Sequence, residues 1–272
     1  MRCLNTPVCL AAASTLALSV SLLAGDDPGS STDPTQVTPA AKEVIDRAIN
    51  AMGGAALFDA VQSVSFDCEM ENAQGTMLMT VMARNGAGTI MNQSLIPPGG
   101  GEPVNHRVLT ATMNAGWARD VESGGVRLMP SGVAASIARA GDQWNFLRTA
   151  MGQFRMVDHD GPAMFAGREC TRVRCSDPRT AGLQTLTLYF DDETGLPLGQ
   201  ETATAAGSLI SGIARIDEWQ TVDGMMIPKR IAVEGQTGTS TLTFTRVEFN
   251  GVPASAFDMP EDVATLLVAS AG

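Results

Sequence analysis

The chain has 272 residues, a net charge of −11 and 44% hydrophobic residues, with 15 Met against 9 Phe, 3 Trp and 1 Tyr. That length can bury a full core, and that hydrophobic content excludes a wholly disordered chain. A pI near 4.6 argues against nucleic acid, an anionic membrane surface or an anionic ligand headgroup, because all three repel an acidic protein.

Residues 1–25 read as a secretory signal. The run 10–24 is built from Leu, Ala, Val, Ser and Thr with a single early charge at Arg2. It is too short for a membrane span, which needs roughly 20 residues, and suits a signal h-region. Asp26, not Cys, follows Leu22-Leu23-Ala24-Gly25, so no lipobox thiol is available for acylation. The expectation is a periplasmic or otherwise exported protein that is not integral to the membrane. Residues 26–38 form a flexible tether of Asp, Pro, Gly, Ser and Thr. Residues 39–262 form the domain, and 263–272 a C-terminal tail.

Order is expected to begin at Thr38-Pro39, an N-cap followed by Pro at the first helical position. Ala41, Val44, Ile45, Ala48, Ile49 and Met52 repeat at helical spacing, and Gly53-Gly54 stops the helix. A short helix follows over 55–61. Val64, Phe66, Cys68 and Met70 then alternate with Ser65, Asp67, Glu69 and Glu71, so one face of that strand is buried and the other wet. Strands are expected over 76–84, 89–96 and 104–113, then a hairpin over 114–129. A helical stretch opens at Ser131 and runs to about 151, with Gly141-Asp142 as a break point. From Val157 onward the pattern is strands and turns, with Gly161-Pro162 read as a turn. Many short antiparallel connections without a βαβ rhythm give an α+β domain dominated by one antiparallel sheet.

Catalytic constellations are sparse. No Gly-x-Ser-x-Gly elbow, P-loop, Cys-x-x-Cys or dinucleotide fingerprint occurs. Histidine occurs only at His106 and His159. Asp158-His159-Asp160 reads as a solvated turn in preference to a metal site, and Asp191-Asp192-Glu193-Thr194-Gly195 as a β-turn in preference to a calcium loop. Neither cofactor nor metal is expected. Cys170 and Cys175 fall on opposite strand faces. Cys68 and Cys175 both fall on apolar faces, as buried thiols or, if their strands are neighbours, as a bridge. Met is more informative: Met70, Met77, Met79, Met82, Met91 and Met113 crowd one stretch, and Met is over-used where a surface accepts ligands of varied shape. Met79 and Met82 lie on opposite faces of one strand, which suggests a strand covered on one side and lining a pocket on the other.

Several motifs together resemble the LolA-like lipoprotein-carrier superfamily. They are Ala48-Ile49-Asn50-Ala51-Met52-Gly53-Gly54 with Leu57 and Val61-Gln62-Ser63-Val64, then Asn114-Ala115-Gly116-Trp117. Leu188-Tyr189-Phe190-Asp191, Thr194-Gly195-Leu196-Pro197, Val222-Asp223-Gly224 with Ile227-Pro228, and Phe257-Asp258-Met259-Pro260 follow in order. The resemblance implies a strongly curved antiparallel half-barrel with helices over its concave face and an apolar cavity between them. It also implies a non-catalytic binding protein for a lipidic ligand or acylated lipoprotein. The alternatives are an envelope protein-interaction or sensor module of the same fold, and an enzyme of unknown reaction. The basic stretch usual after the second strand is reduced to Ala83-Arg84-Asn85-Gly86, and Lys42 and Lys229 are the only lysines, so no specific carrier mechanism transfers. For such a cavity the candidate lining residues are Phe66, Met70, Met79, Met91, Leu109, Leu188 and Trp219, with Trp144 and Phe146 on the covering helix.

Overall fold

The computed structural model describes residues 35–112, 115–140, 145, 147, 154–176, 184–204, 212–235 and 238–270; the signal-like residues 1–25 lie outside them. The chain opens with β1 (Gln36–Val37), α1 (Pro39–Ala51) and α2 (Ala55–Ala60). Six strands follow: β2 (Ser63–Asn72), β3 (Gly75–Arg84), β4 (Gly88–Ile96), β5 (Val104–Thr112), β6 (Gly116–Asp120) and β7 (Val126–Leu128). After α3 (Ser131–Ala140) come β8 (Met156–Phe165), β9 (Arg168–Ser176), β10 (Gln184–Asp191), β11 (Pro197–Thr204), β12 (Gly212–Val222), β13 (Met225–Gly235) and β14 (Gly238–Phe249). A 3₁₀ turn (Ala254–Phe257) and α4 (Glu261–Ser270) end the described chain.

All the strands join one open, strongly curved sheet in the order β1-β8-β9-β10-β11-β12-β13-β14-β2-β3-β4-β5-β6-β7. Every pair is antiparallel except β1 on β8. The two meanders, β8–β14 and β2–β7, meet where β14 pairs with β2, from Thr241↔Glu71 to Phe249↔Val64. The α+β half-barrel expected from the sequence is therefore the observed fold.

Period-two patterning decides which face is inner. Under α1, the buried Ala41, Ile45 and Ala48 pack with Val157, Val173, Cys175, Leu186, Leu188 and Phe190 in one core cluster. Under α3, Ile137 packs with Val64, Phe66, Met70, Val81, Met91 and Leu109 in a second. Val247 and Phe249 of β14 touch both clusters, so both lie on the same face.

Four local departures from the sequence reading have physical causes. Order begins before Thr38, because Gln36 and Val37 add a short parallel strand to β8. Thr38 does not cap α1 with its side chain; its hydroxyl donates to the Val157 carbonyl instead. Gly161-Pro162 does not turn the chain. β8 runs through it, and the register shift between His159 and Gly161 makes Asp160 a bulge, a device that suits a strand near the sheet edge. The expected tail at 263–272 is helical as far as Ser270, with Val263 fully buried. Arg119 of β6 pairs with Asp262 of α4 at 2.8 Å, and Arg84 donates to the Val252 carbonyl at 2.8 Å. The C-terminal segment therefore lies over the outer face at this end. That second layer explains why Met82 and Ile90, on the outer face, are only half exposed; at this end the strand is covered on both sides.

Two glycines are required by close approach. Gly53 has φ +119, and a Cβ there would meet the Gly224 carbonyl at 2.8 Å; this lets the end of α1 dock on the β12–β13 turn, where Met226 N donates to the Met52 carbonyl. Gly116 lies under α3, where a Cβ would come within 2.4 Å of Ala134 Cβ. Gly116→Ala is expected to lower stability by about 1–3 kcal/mol through overpacking. Gly235→Ala, with open space around it, should stay within about 0.5 kcal/mol of the parent. Urea denaturation of the two variants checks the contrast, and equal midpoints would show that α3 does not sit tightly on β6.

Candidate functional site

The inner face of β2–β6 is a grid of cross-strand rows. One row runs Val247, Phe66, Val81, Met91, Leu109, Ala118 and Arg127 across seven strands. Its neighbour runs Cys68, Met79, Gln93, Arg107 and Asp120. A third pairs Leu242, Met70, Met77 and Leu95. Adjacent side chains on one face sit close enough to form a continuous surface.

The sequence-derived candidates divide between the two clusters. Phe66, Met70, Met79, Met91 and Leu109 come together in the α3 cluster, each 9% exposed or less. Leu188 is buried in the α1 cluster, and Trp219 packs half-buried against it. Trp144 and Phe146 lie outside the described residues. The helix over the second cluster supplies small side chains: Ala134 and Ala138 pack beside Ile137, over the small platform of Ala111, Gly116 and Ala118. Thr89 anchors it by donating to the Ala138 carbonyl at 3.1 Å.

Polar groups interrupt this surface in one place that the sequence reading missed. Gln93 is 7% exposed, and its Oε1 has no partner among the described residues. In register it lies between Met79 and Arg107. The signal was available in the alternation Thr89, Met91, Gln93, Leu95, where a polar residue takes an inward position. So was Arg107, two residues before the inward Leu109.

The acidic turn is structural. Asp191 Oδ1 accepts from Thr194 N at 2.7 Å and Thr194 Oγ1 at 2.8 Å, and Oδ2 pairs with Arg168 at 2.8 Å. Burial alone would push this carboxyl up, but the two Thr194 bonds and Arg168 outweigh it and hold the pKa below the ordinary carboxylate value. Arg47 of α1 donates to the Asp192 and Glu193 carbonyls, tying the turn to the first helix. Among the described residues no group of three or more His, Cys, Asp or Glu could hold a metal.

Cys68, Cys170 and Cys175 are free and buried, so the sequence alternative of a Cys68–Cys175 bridge is not realised: β2 and β9 are not neighbours in the sheet. Burial, with help from Asp67 and Glu69, pushes the Cys68 thiol up to about 12. Burial and Asp158 push Cys175 to about 12. The thiols are inert core groups.

Solved structures place this architecture. A DUF1329 family protein from Desulfovibrio piger matches with TM-score 0.55 at 11% identity, covering 81% of this chain and 98% of that one. A putative outer membrane lipoprotein-sorting protein domain from Vibrio parahaemolyticus matches with TM-score 0.52 at 15% identity, covering 80% and 97%. A LolA superfamily protein from Nitrosomonas europaea matches with TM-score 0.52 at 13% identity, also covering 80% and 97%. The chain has the LolA-like fold. At such identities the likeness concerns the fold alone. No protein-family model and no curated protein matches the sequence. No helix among the described residues is long and apolar enough to cross a membrane.

Two predictions come from these groups. Because the folded-state pKa of Asp191 is depressed, its stabilisation is present above the unfolded carboxylate value of about 3.9 and is lost as pH falls through the lower folded value. Asp191→Asn should therefore be less stable than the parent at pH 7 and converge with it below about pH 4. Chemical denaturation across that range tests this, and a gap that persists unchanged into acid contradicts it. Cys68, Cys170 and Cys175 should resist a disulfide reagent at pH 8 in the native protein and react in denaturant. Rapid native labelling of Cys68 would show that its strand opens readily.

Proposed function

We propose that this chain is an exported, non-catalytic binding protein that holds the acyl chain of a lipid or lipoprotein between the inner face of its sheet and the covering helices. The observation that carries the reading is the continuous Met-rich surface of Phe66, Met70, Met79, Met91 and Leu109 beneath a helix that meets it with Ile137 and alanines. The LolA-like fold supports it, as do the name of the Vibrio relative, a lipoprotein-sorting domain, and the signal-like residues 1–25.

The energetics favour exchange of contacts at this surface. Lifting Ile137 and its neighbouring alanines loses a few kcal/mol of apolar burial, whereas each methylene of an entering chain contributes about 0.8 kcal/mol. A twelve-carbon chain thus gains roughly 9 kcal/mol before ordering costs. Met side chains suit such a surface, since three rotatable bonds let them repack around a guest. Leu188 and Trp219 belong to the α1 side and would border the site.

Native mass spectrometry with lipid extraction of protein purified from an exporting host should recover bound acyl lipid. Laurate should displace the uncharged fluorophore N-phenyl-1-naphthylamine in the micromolar range, roughly −8 kcal/mol. Absence of lipid together with absence of displacement would contradict the proposal.

A further inference from the structure

The far end of the inner face changes character at the edge of the sheet. A cleft of about 290 Å³ lies there, lined by Arg107, Arg119 and Arg127 with Ala118 and Asp120. In a chain of net charge −11, two inward arginines, Arg107 and Arg127, against the single carboxylate of Asp120 reverse the local sign on this face. Arg119 is engaged, on Asp262 at 2.8 Å. Arg107 and Arg127 make no ion pair or hydrogen bond among the described residues. The one carboxylate in the cleft, Asp120, accepts through Oδ1 from Ser123 N and Ser123 Oγ, each at 2.8 Å, and Arg107 across the strand pair adds an electrostatic attraction.

Register places both guanidiniums on the apolar face. Arg127 stands opposite Ala118, which stands opposite Leu109, and Leu109 opposite Met91. Arg107 stands between Gln93 and Asp120 in the next row. From β7 to β2 the row crosses five strand spacings, roughly 24 Å at about 4.8 Å each, the length of a long acyl chain. Gln93 Oε1, buried with no partner among the described residues, lies where a hydroxyl beside a ligand headgroup would reach it.

We infer that Arg107 and Arg127 bind the anionic head, a carboxylate or phosphate, of an amphiphile whose chain lies along the row Leu109, Met91, Val81 and Phe66. This rests on the acyl-chain reading of the inner face and names its ligand class. Guanidinium and carboxylate or phosphate form charge-assisted, often bidentate pairs. The net negative charge does not prevent this, because charges beyond a Debye length of about 8–10 Å are screened while the two arginines are in contact.

The test compares ligands that share a chain and differ at the head, each displacing N-phenyl-1-naphthylamine from the full protein. Laurate and lauroyl lysophosphatidate should bind about tenfold more tightly than uncharged monolaurin, with the advantage shrinking as salt rises. The double variant Arg107→Gln, Arg127→Gln should lose that advantage and keep its monolaurin affinity within about twofold; a circular dichroism melt like the parent's shows that it folds. Inorganic phosphate alone should not compete with laurate. If it does, the cleft is a site for free anions and the headgroup assignment is overturned. Equal affinity of the parent for laurate and monolaurin overturns the arginine assignment and leaves the acyl-chain reading standing; binding of neither overturns both.

Discussion

The pairing of β14 with β2 is the constraint on which the inner face depends. It joins residues 241–249 to 64–71 and turns two separate meanders into one sheet. A long loop must close before this ladder forms, so it has to be specified strongly. Asn250 supplies part of that specification: its backbone N donates to the Ser63 carbonyl at 2.8 Å, and its side-chain Oδ1 accepts from Gln62 N at 2.7 Å. With the register fixed, Val247 falls opposite Phe66 and Phe249 opposite Val64, and the two helix-covered clusters share one face. A slip of one residue would turn Phe66, Met70 and their row outward and Asp67 and Glu69 inward.

From that face the rest follows by layers. α1 and α3 cover the inner side of successive halves, and the C-terminal segment covers part of the outer side. Small residues set the fit of α3: Gly116, Ala111 and Ala118 below meet Ala134 and Ala138 above. A helix seated by alanines on alanines buries little area per residue compared with the Met-rich rows beside it. The same surface thus combines a weakly held cover with a flexible lining, and at its edge a pair of arginines without a hydrogen bond among the described residues.

Much of this was legible in the sequence because it is written in short-range periodicity. The alternation from Val64 to Glu71 gave the correct buried face, the Gly53-Gly54 stop ended α1 where it ends, and the acidic run at Asp191 is a turn held by Thr194 and Arg168. The bulge at Asp160 was hidden because Gly and Pro signal turns and edge bulges alike. The last helix was hidden because residues 263–268 carry no polar stripe; its burial comes from a partner strand far away in sequence. The split of the lining candidates over two clusters depended on strand order, which periodicity does not encode. Gln93 and Arg107 take inward positions by parity, and a net charge summed over the chain conceals a local reversal of sign.

Photolabelling by a diazirine-bearing fatty acid, mapped by mass spectrometry, reads the position of a bound acyl chain residue by residue. Labels are expected on inward residues of β2–β5, Met79, Met91 and Leu109 among them, and on α3. Labels confined to outer-face residues such as Thr80, Asn92 and His106 would contradict acyl-chain binding on the inner face.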